Sequence, residues 1–318
     1  MDWGNRMIEK RSYINRRRKK RIRYSGFSIV SMAFLAFIVI GLTVSLSIRA
    51  CTHHEEYVQE KPYSHRTGSN TIDREPKEAS DLSSDDVIPD SVIKICMPAS
   101  LEGVSEQILH KTSYVVSYNK DTKCPNWVAW QLTAEHTDGP YKRLNNFHEE
   151  EEVSEPKATL QDYRGSGWSR GHMCPAGDNK WSYKAMFDSF SLVNVCPQNS
   201  SHNSGLWNSL EMDCRRWSRQ YGEIYIVCGP VFLNREHETI GENDVFVPEA
   251  FFKVVLCLKG NPKAFGIITR NTEGNKKRDL YYNSVDQVER ITGIDFFPAL
   301  PDELENRVES IVDINMWN

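Results

Sequence analysis

Ser169-Arg170-Gly171-His172-Met173-Cys174-Pro175, Asn194-Val195-Cys196-Pro197-Gln198, and the run from Asn203 to Glu211 are the three blocks, in this order, that decide how the chain is read. In the third block Leu206 and Leu210 begin a helical periodicity that continues through Cys214, Trp217 and Tyr221, with Gly222 as a stop. The spacing predicts a helix over 203–221. Asn203, Trp207 and Glu211 recur at i, i+4, i+8 and line a stripe beside the apolar one, so this helix is expected to rim a cleft. The side chains gathered here share one chemistry. A neutral imidazole such as His172 accepts a proton near pH 7. The amide oxygen of Asn203 and the carboxylate of Glu211 are hard donors that suit Mg2+ or Ca2+. Arginine forks such as that of Arg170 match phosphate oxygens. A base, a hard cation and arginines together are what phosphodiester hydrolysis requires.

On either side of these blocks, β-branched or aromatic runs at 113–118, 126–133, 223–228, 251–258 and 263–269 predict strands. Ser284-Val285-Asp286-Gln287 is a capping-box start for a short helix that Gly293 ends. Pro301 opens a last helix with Leu304, Val308 and Ile311 on one face. Strands and helices do not alternate strictly. The expected class is therefore α+β, a central, largely antiparallel sheet flanked by helices.

The rest of the chain is unlike this part. The 318 residues carry a formal charge of −4, but residues 1–24 hold ten Lys and Arg against Asp2 and Glu9, a local +8. An uncharged, mostly apolar run of 24 residues follows, 25–48. At 1.5 Å per residue it reaches about 36 Å, enough to cross a hydrocarbon core of about 30 Å. It is longer than the apolar stretch of a cleaved signal, so a transmembrane signal anchor is expected, with the basic segment cytoplasmic and the rest external, periplasmic or extracellular. Residues 49–90 read as a solvated linker and 91–318 as one catalytic domain. Charged residues at 26% exclude a polytopic membrane protein. Outside the cytosol disulfides are permitted, and some pairing is expected among Cys96, Cys124, Cys174, Cys196, Cys214, Cys228 and Cys257.

Taken together, the three blocks resemble the DNA/RNA non-specific endonucleases, the ββα-metal-finger family that includes endonuclease G. The family signature is Asp-Arg-Gly-His followed by Pro, then Asn-x-x-Pro-Gln, then Asn and Glu eight residues apart on a helix. Arg170, Gly171, His172 and Pro175 match the first block, Asn194, Pro197 and Gln198 the second, Asn203 and Glu211 the third. The resemblance implies a ββα-metal-finger site. In it His172 is the general base, Asn203 the direct ligand of Mg2+ (with Mn2+ as substitute), and Glu211 its holder through water. Arg170 would face the phosphate, and Asn194 would brace the site. Arg143 aligns with a further family arginine, its register supported by Asn145 and Phe147. DNA and RNA substrates, met through their phosphates, and 5′-phosphate and 3′-hydroxyl products are implied as well. One departure stands out: Ser169 occupies the place of the family Asp.

Two other readings use the same residues. A non-catalytic surface module could bind nucleic acid on this fold. Alternatively His172, Cys174, Cys196, His202 and Cys214 could hold zinc, although the tight Cys-x2–4-Cys pairs usual for structural zinc are missing. Trp207 is expected to pack rather than to stack on substrate. Arg215 and Arg216 are expected either on a nucleic-acid groove or on a solvated face.

Overall fold

The computed structural model describes residues 94–272 and 280–317. The segments expected as basic tail (1–24), membrane anchor (25–48) and linker (49–90) lie outside the described residues. No described helix is long and apolar enough to cross a membrane.

Eleven strands are used below: β1 (Gln107–His110), β2 (Val115–Asn119), β3 (Cys124–Thr133), β4 (Ser169–His172), β5 (Val195–Gln198), β6 (Glu223–Val231), β7 (Thr239–Ile240), β8 (Val245–Phe246), β9 (Ala250–Cys257), β10 (Lys263–Arg270) and β11 (Tyr282–Asn283). Seven of them form one sheet in the order β1-β2-β3-β6-β9-β10-β11, and its neighbouring strands pair antiparallel. The sheet is covered on both sides, so its central strands read as largely apolar runs and their alternation sorts residues into two cores. In β9, Phe251, Val255 and Cys257 join the core that also holds Trp207, Leu210 and Met173. Phe252, Val254 and Leu256 join the opposite core.

Four helices matter here: α1 (Tyr183–Asp188), α2 (Asn208–Tyr221), α3 (Val285–Thr292) and α4 (Asp302–Ser310). α2 covers the first core through Leu210, Cys214 and Trp217. α3 and α4 cover the second through Val285, Val288 and Val308. The capping box at Ser284 forms as expected, and Gly293 ends α3 in the left-handed conformation, at φ 73°.

The α+β class and the antiparallel sheet agree with the sequence reading. Three details differ. β4 and β5 escaped it, because a four-residue strand containing Gly171 or Pro197 has no periodic signal, and so did the short strands β1, β7, β8 and β11. α4 stops at Ser310, so Ile311 is 55% exposed and the buried position is taken by Glu309 instead. The expected helix over 203–221 is not uniform: its first turn, Asn203–Trp207, is π-helical before α2 begins.

Candidate active site

β4 and β5 form a two-stranded antiparallel ribbon in which His172 faces Val195 and Gly171 faces Cys196. The helical segment starting at Ser200 follows directly, giving a β-β-α unit. Gly171 is required by close approach: a Cβ there would sit 2.1 Å from Gln198 Oε1 and 2.6 Å from Gln198 Cβ. Gln198 Nε2 in turn donates to His202 Nδ1 (2.9 Å), which leaves His202 Nε2–H to donate to Thr269 Oγ1 (2.9 Å). This chain of bonds ties the ribbon and the start of the helix to β10.

His172 is buried with its ring edge-on to Phe190 (4.9 Å between centroids) and tilted against Phe147 (5.1 Å). Trp207 Nε1 donates to its carbonyl at 3.3 Å, fixing the end of β4 on the helix. Nε2 of His172 is buried and meets no hydrogen-bond partner among the described residues. Burial, and after it the charges of Arg143 and Arg170, push its pKa down to about 3. The imidazole is therefore neutral at physiological pH, the form a base needs.

Arg170 lies with its guanidinium 4.4 Å from the Phe147 ring centre, and Arg143 with its own 5.1 Å from that of Phe190. Each thus rests on one of the two rings that flank His172. Asn145, left-handed at φ 60°, accepts from Arg143 Nε at 2.9 Å and holds that loop turned. Asn194 is wholly buried and wholly used: it accepts from the Cys174 amide and donates to the Cys174 and Ser189 carbonyls, all at 2.8 Å. The structure makes it a brace for the loop after His172, with no group left over for substrate.

Asn203 is half-buried, and its side chain makes no hydrogen bond among the described residues. It opens the π-helical turn that swings Trp207 into the core, where Trp207 is fully buried. Packing is thus the role of Trp207, as expected. Glu211 sits two turns on, and burial raises its pKa to about 7 against the pull of Lys253 and Arg215. Arg143 bears electrostatically on both Glu211 and His172, so the upstream arginine, the ribbon and the helix converge on one place. The donor set, one unengaged amide oxygen and one buried carboxylate whose pKa stays raised despite its basic neighbours, fits a hard divalent ion that keeps much of its water.

A sequence model described as DNA/RNA non-specific endonuclease matches residues 93–303. The chain belongs to that family.

Among relatives, mitochondrial nuclease EXOG of Mus musculus is 34% identical over 207 residues, 59% of this chain and 56% of the mouse protein. The chain thus spans little more than half the length of that relative. Mitochondrial endonuclease G of Bos taurus is 36% identical over 215 residues, covering 63% of this chain and 72% of its own. A chain in the crystal structure of the EndoG/EndoGI complex superposes with a TM-score of 0.61 at 26% identity, over 67% of this chain and 93% of that one.

Against the endonuclease family pattern, Ser169 is the departure, and the structure gives it a partner: its Oγ lies 2.8 Å from Ser200 Oγ, joining β4 to the turn before Asn203. Half-exposed serine pairs of this kind contribute about 1 kcal/mol. We expect Ser169→Ala to lower nuclease turnover less than about fivefold, measured on plasmid DNA, and to leave the melting temperature within about 3 °C.

The sequence reading missed a layer beneath the site. Lys253 projects from β9 and is 1% exposed, its Nζ 4.3 Å from the Trp207 ring centre and 5.2 Å from that of Trp130. Asp178, also buried, accepts from Trp130 Nε1 at 3.2 Å and from Arg215 at 2.8 Å. Arg215 reaches Glu211 at 3.7 Å. Arg215 is therefore not on a solvated face: it turns inward as the counter-ion of Asp178 and Glu211. Arg216 is the exposed one and pairs with Asp213. The signal available in sequence was Lys253 itself, a charge in the midst of the apolar run 251–256.

Nor does the expected cysteine pairing occur: no disulfide joins the seven described cysteines. Most lie in the first core as small apolar groups. Cys228 donates to the Met173 carbonyl (3.4 Å) and Cys124 to that of Phe246 (3.5 Å). The five-residue zinc set does not converge either. Cys174 accepts from Asn179, and both ring nitrogens of His202 are occupied.

Proposed function

We propose that this chain is a divalent-metal-dependent endonuclease that hydrolyses phosphodiester bonds of DNA and RNA with little sequence preference, leaving 5′-phosphate and 3′-hydroxyl ends. The observation that carries the reading is His172: a neutral, buried imidazole with an unpartnered Nε2, set beside two arginines and a helix bearing Asn203 and Glu211. His172 takes a proton from the attacking water. Arg170, and Arg143 across from it, meet the non-bridging oxygens of the phosphate and the charge that develops there. Asn203 would hold Mg2+ (or Mn2+) directly, and Glu211 through water. When bound, the ion supplies Lewis-acid stabilisation to the phosphoryl group and the leaving oxygen. Asn194 and Trp207 keep the His172 backbone at a fixed distance from that helix. Contacts of this type read phosphate rather than base edges, so low sequence preference and a fall in binding with salt follow.

The test is direct. With supercoiled plasmid and with RNA, cleavage is expected in Mg2+, loss of cleavage in excess EDTA, and recovery on adding Mg2+ or Mn2+. Intact nucleic acid in every divalent ion, with binding retained in a gel-shift assay, would instead assign the chain as a non-catalytic binding module.

The same proposal includes tethering: the uncharged run 25–48 behind ten basic residues supports a single span with the nuclease domain external. Cells expressing the full chain should lose the domain to added protease without lysis, and the protein should stay in the carbonate-washed membrane pellet. Release into the medium or protection from protease would refute the tether and leave the nuclease reading standing.

A further inference from the structure

On the other side of the sheet from His172, Asp286 and Glu289 of α3 and Glu309 of α4 bring three carboxylates together. One oxygen from each lies within 4.8 Å of the other two. The grouping is not a surface accident of acidic helices. Glu309 is 6% exposed, and its Oε1 is buried without a hydrogen-bond partner among the described residues. One oxygen of Glu289 accepts from the Phe296 amide at 2.9 Å, which orients that carboxylate. No described Lys, Arg or His forms an ion pair with any of the three; the other charges that bear on Glu309 are Glu305 and Asp295, again carboxylates. A buried carboxylate without donor or counter-ion costs several kcal/mol and does not persist as an anion alone. Burial first, and after it the neighbouring carboxylates, raise the Glu309 carboxyl to about 9.

We propose that Asp286, Glu289 and Glu309 form a second cation site, specific for Ca2+, that joins α3 to α4 on the face of the sheet opposite the catalytic residues. Three or more carboxylate oxygens from two helices, at separations a few ångströms wide, match the flexible, oxygen-rich coordination of Ca2+. Mg2+ demands a tighter octahedron and holds its water. The site is structural in character. α3 packs on β9 and β10, and α4 on β10 and α3, so a cation there stiffens the rear core without touching His172.

The experiment uses the full-length chain in detergent, stripped with EDTA and dialysed, in the Asn203→Ala background so that the catalytic cation site is removed. Calorimetric titration with CaCl2 should count one ion per chain. Thermal unfolding should shift up by about 5 °C at a Ca2+ concentration 100 times the Kd. Glu309→Gln in the same background should weaken Ca2+ at least tenfold, and without Ca2+ it should melt no lower than its parent, because the Glu309 carboxyl is already held uncharged there. Should Glu309→Gln fail to fold, half-buried Asp286→Asn should show the same loss of affinity. Absence of both heat and thermal shift, undiminished Ca2+ affinity in the variant, or an equal shift from Mg2+ would overturn the assignment.

Discussion

His172→Ala is expected to lower kcat/KM on plasmid DNA by about 10^3-fold while Mg2+-supported binding to the plasmid stays within about threefold, the usual size of a lost general base. The reasoning is local. The other candidates beside the ribbon are spent: Asn194 uses its three hydrogen bonds on the backbone, and the buried imidazole of His202 is engaged at both nitrogens. A second readout separates chemistry from folding. The His172 imidazole ionises near 6.5 in the unfolded chain but is held down to about 3 in the folded one. Its folded pKa is depressed, so the unfolded state takes up the proton first as pH falls. Wild-type stability therefore drops between pH 6.5 and 3, by up to roughly 1.4 kcal/mol per pH unit. His172→Gln removes that contribution and should melt with a shallower acid dependence while remaining inactive. Unchanged turnover in His172→Ala, or an unchanged acid slope in His172→Gln, contradicts the base assignment.

How much of this was legible in sequence differs by level. The five inner strands of the sheet announced themselves because they are largely buried and rich in β-branched and aromatic residues, whereas the edge strands β1 and β11 did not. α3 announced itself because Ser284 and Gly293 are cap residues with a mechanism. The site residues were legible through order and spacing of three blocks, not through local structure: β4, which carries His172, and β5, which begins just after Asn194, are too short to show a period. What stayed hidden depends on tertiary partners. Sequence gives no means of telling that Arg215 turns inward to Asp178, or that Ser169 meets Ser200, since those contacts join residues 31 and 37 positions apart. The cysteines misled for a related reason. Compartment argued for pairing, whereas packing places their thiols against carbonyls and apolar neighbours.

Lys253→Met is expected to have the second-largest effect, and on different observables. The ammonium is buried against two tryptophan faces and is the foremost favourable charge acting on Glu211. Burial alone would lower the pKa of Lys253; the carboxylates of Glu211 and Asp178 work against that, so the cation is part of a balanced interior set. Methionine fills similar volume without the charge and leaves Asp178 with Arg215, and Glu211 with Arg215 and the weaker pull of Arg143. Removing one member of such a set typically costs about 3 kcal/mol, which for a domain of this size is a fall of roughly 6–12 °C in Tm. The functional consequence follows from sign. The Glu211 pKa is already raised to about 7, and losing Lys253 raises it further, so at pH 7 less of the carboxylate is ionised and protons compete better with Mg2+. The Mg2+ concentration for half-maximal cleavage should therefore rise several-fold at pH 7 and return toward wild type near pH 9. kcat at saturating Mg2+ should change little, because Lys253 lies beneath the helix and meets neither His172 nor phosphate. Lys253→Arg, which keeps the charge but not the shape, should recover the Mg2+ dependence more than the Tm. A Lys253→Met protein with wild-type Tm and wild-type Mg2+ response would show that Glu211 is tuned by burial alone.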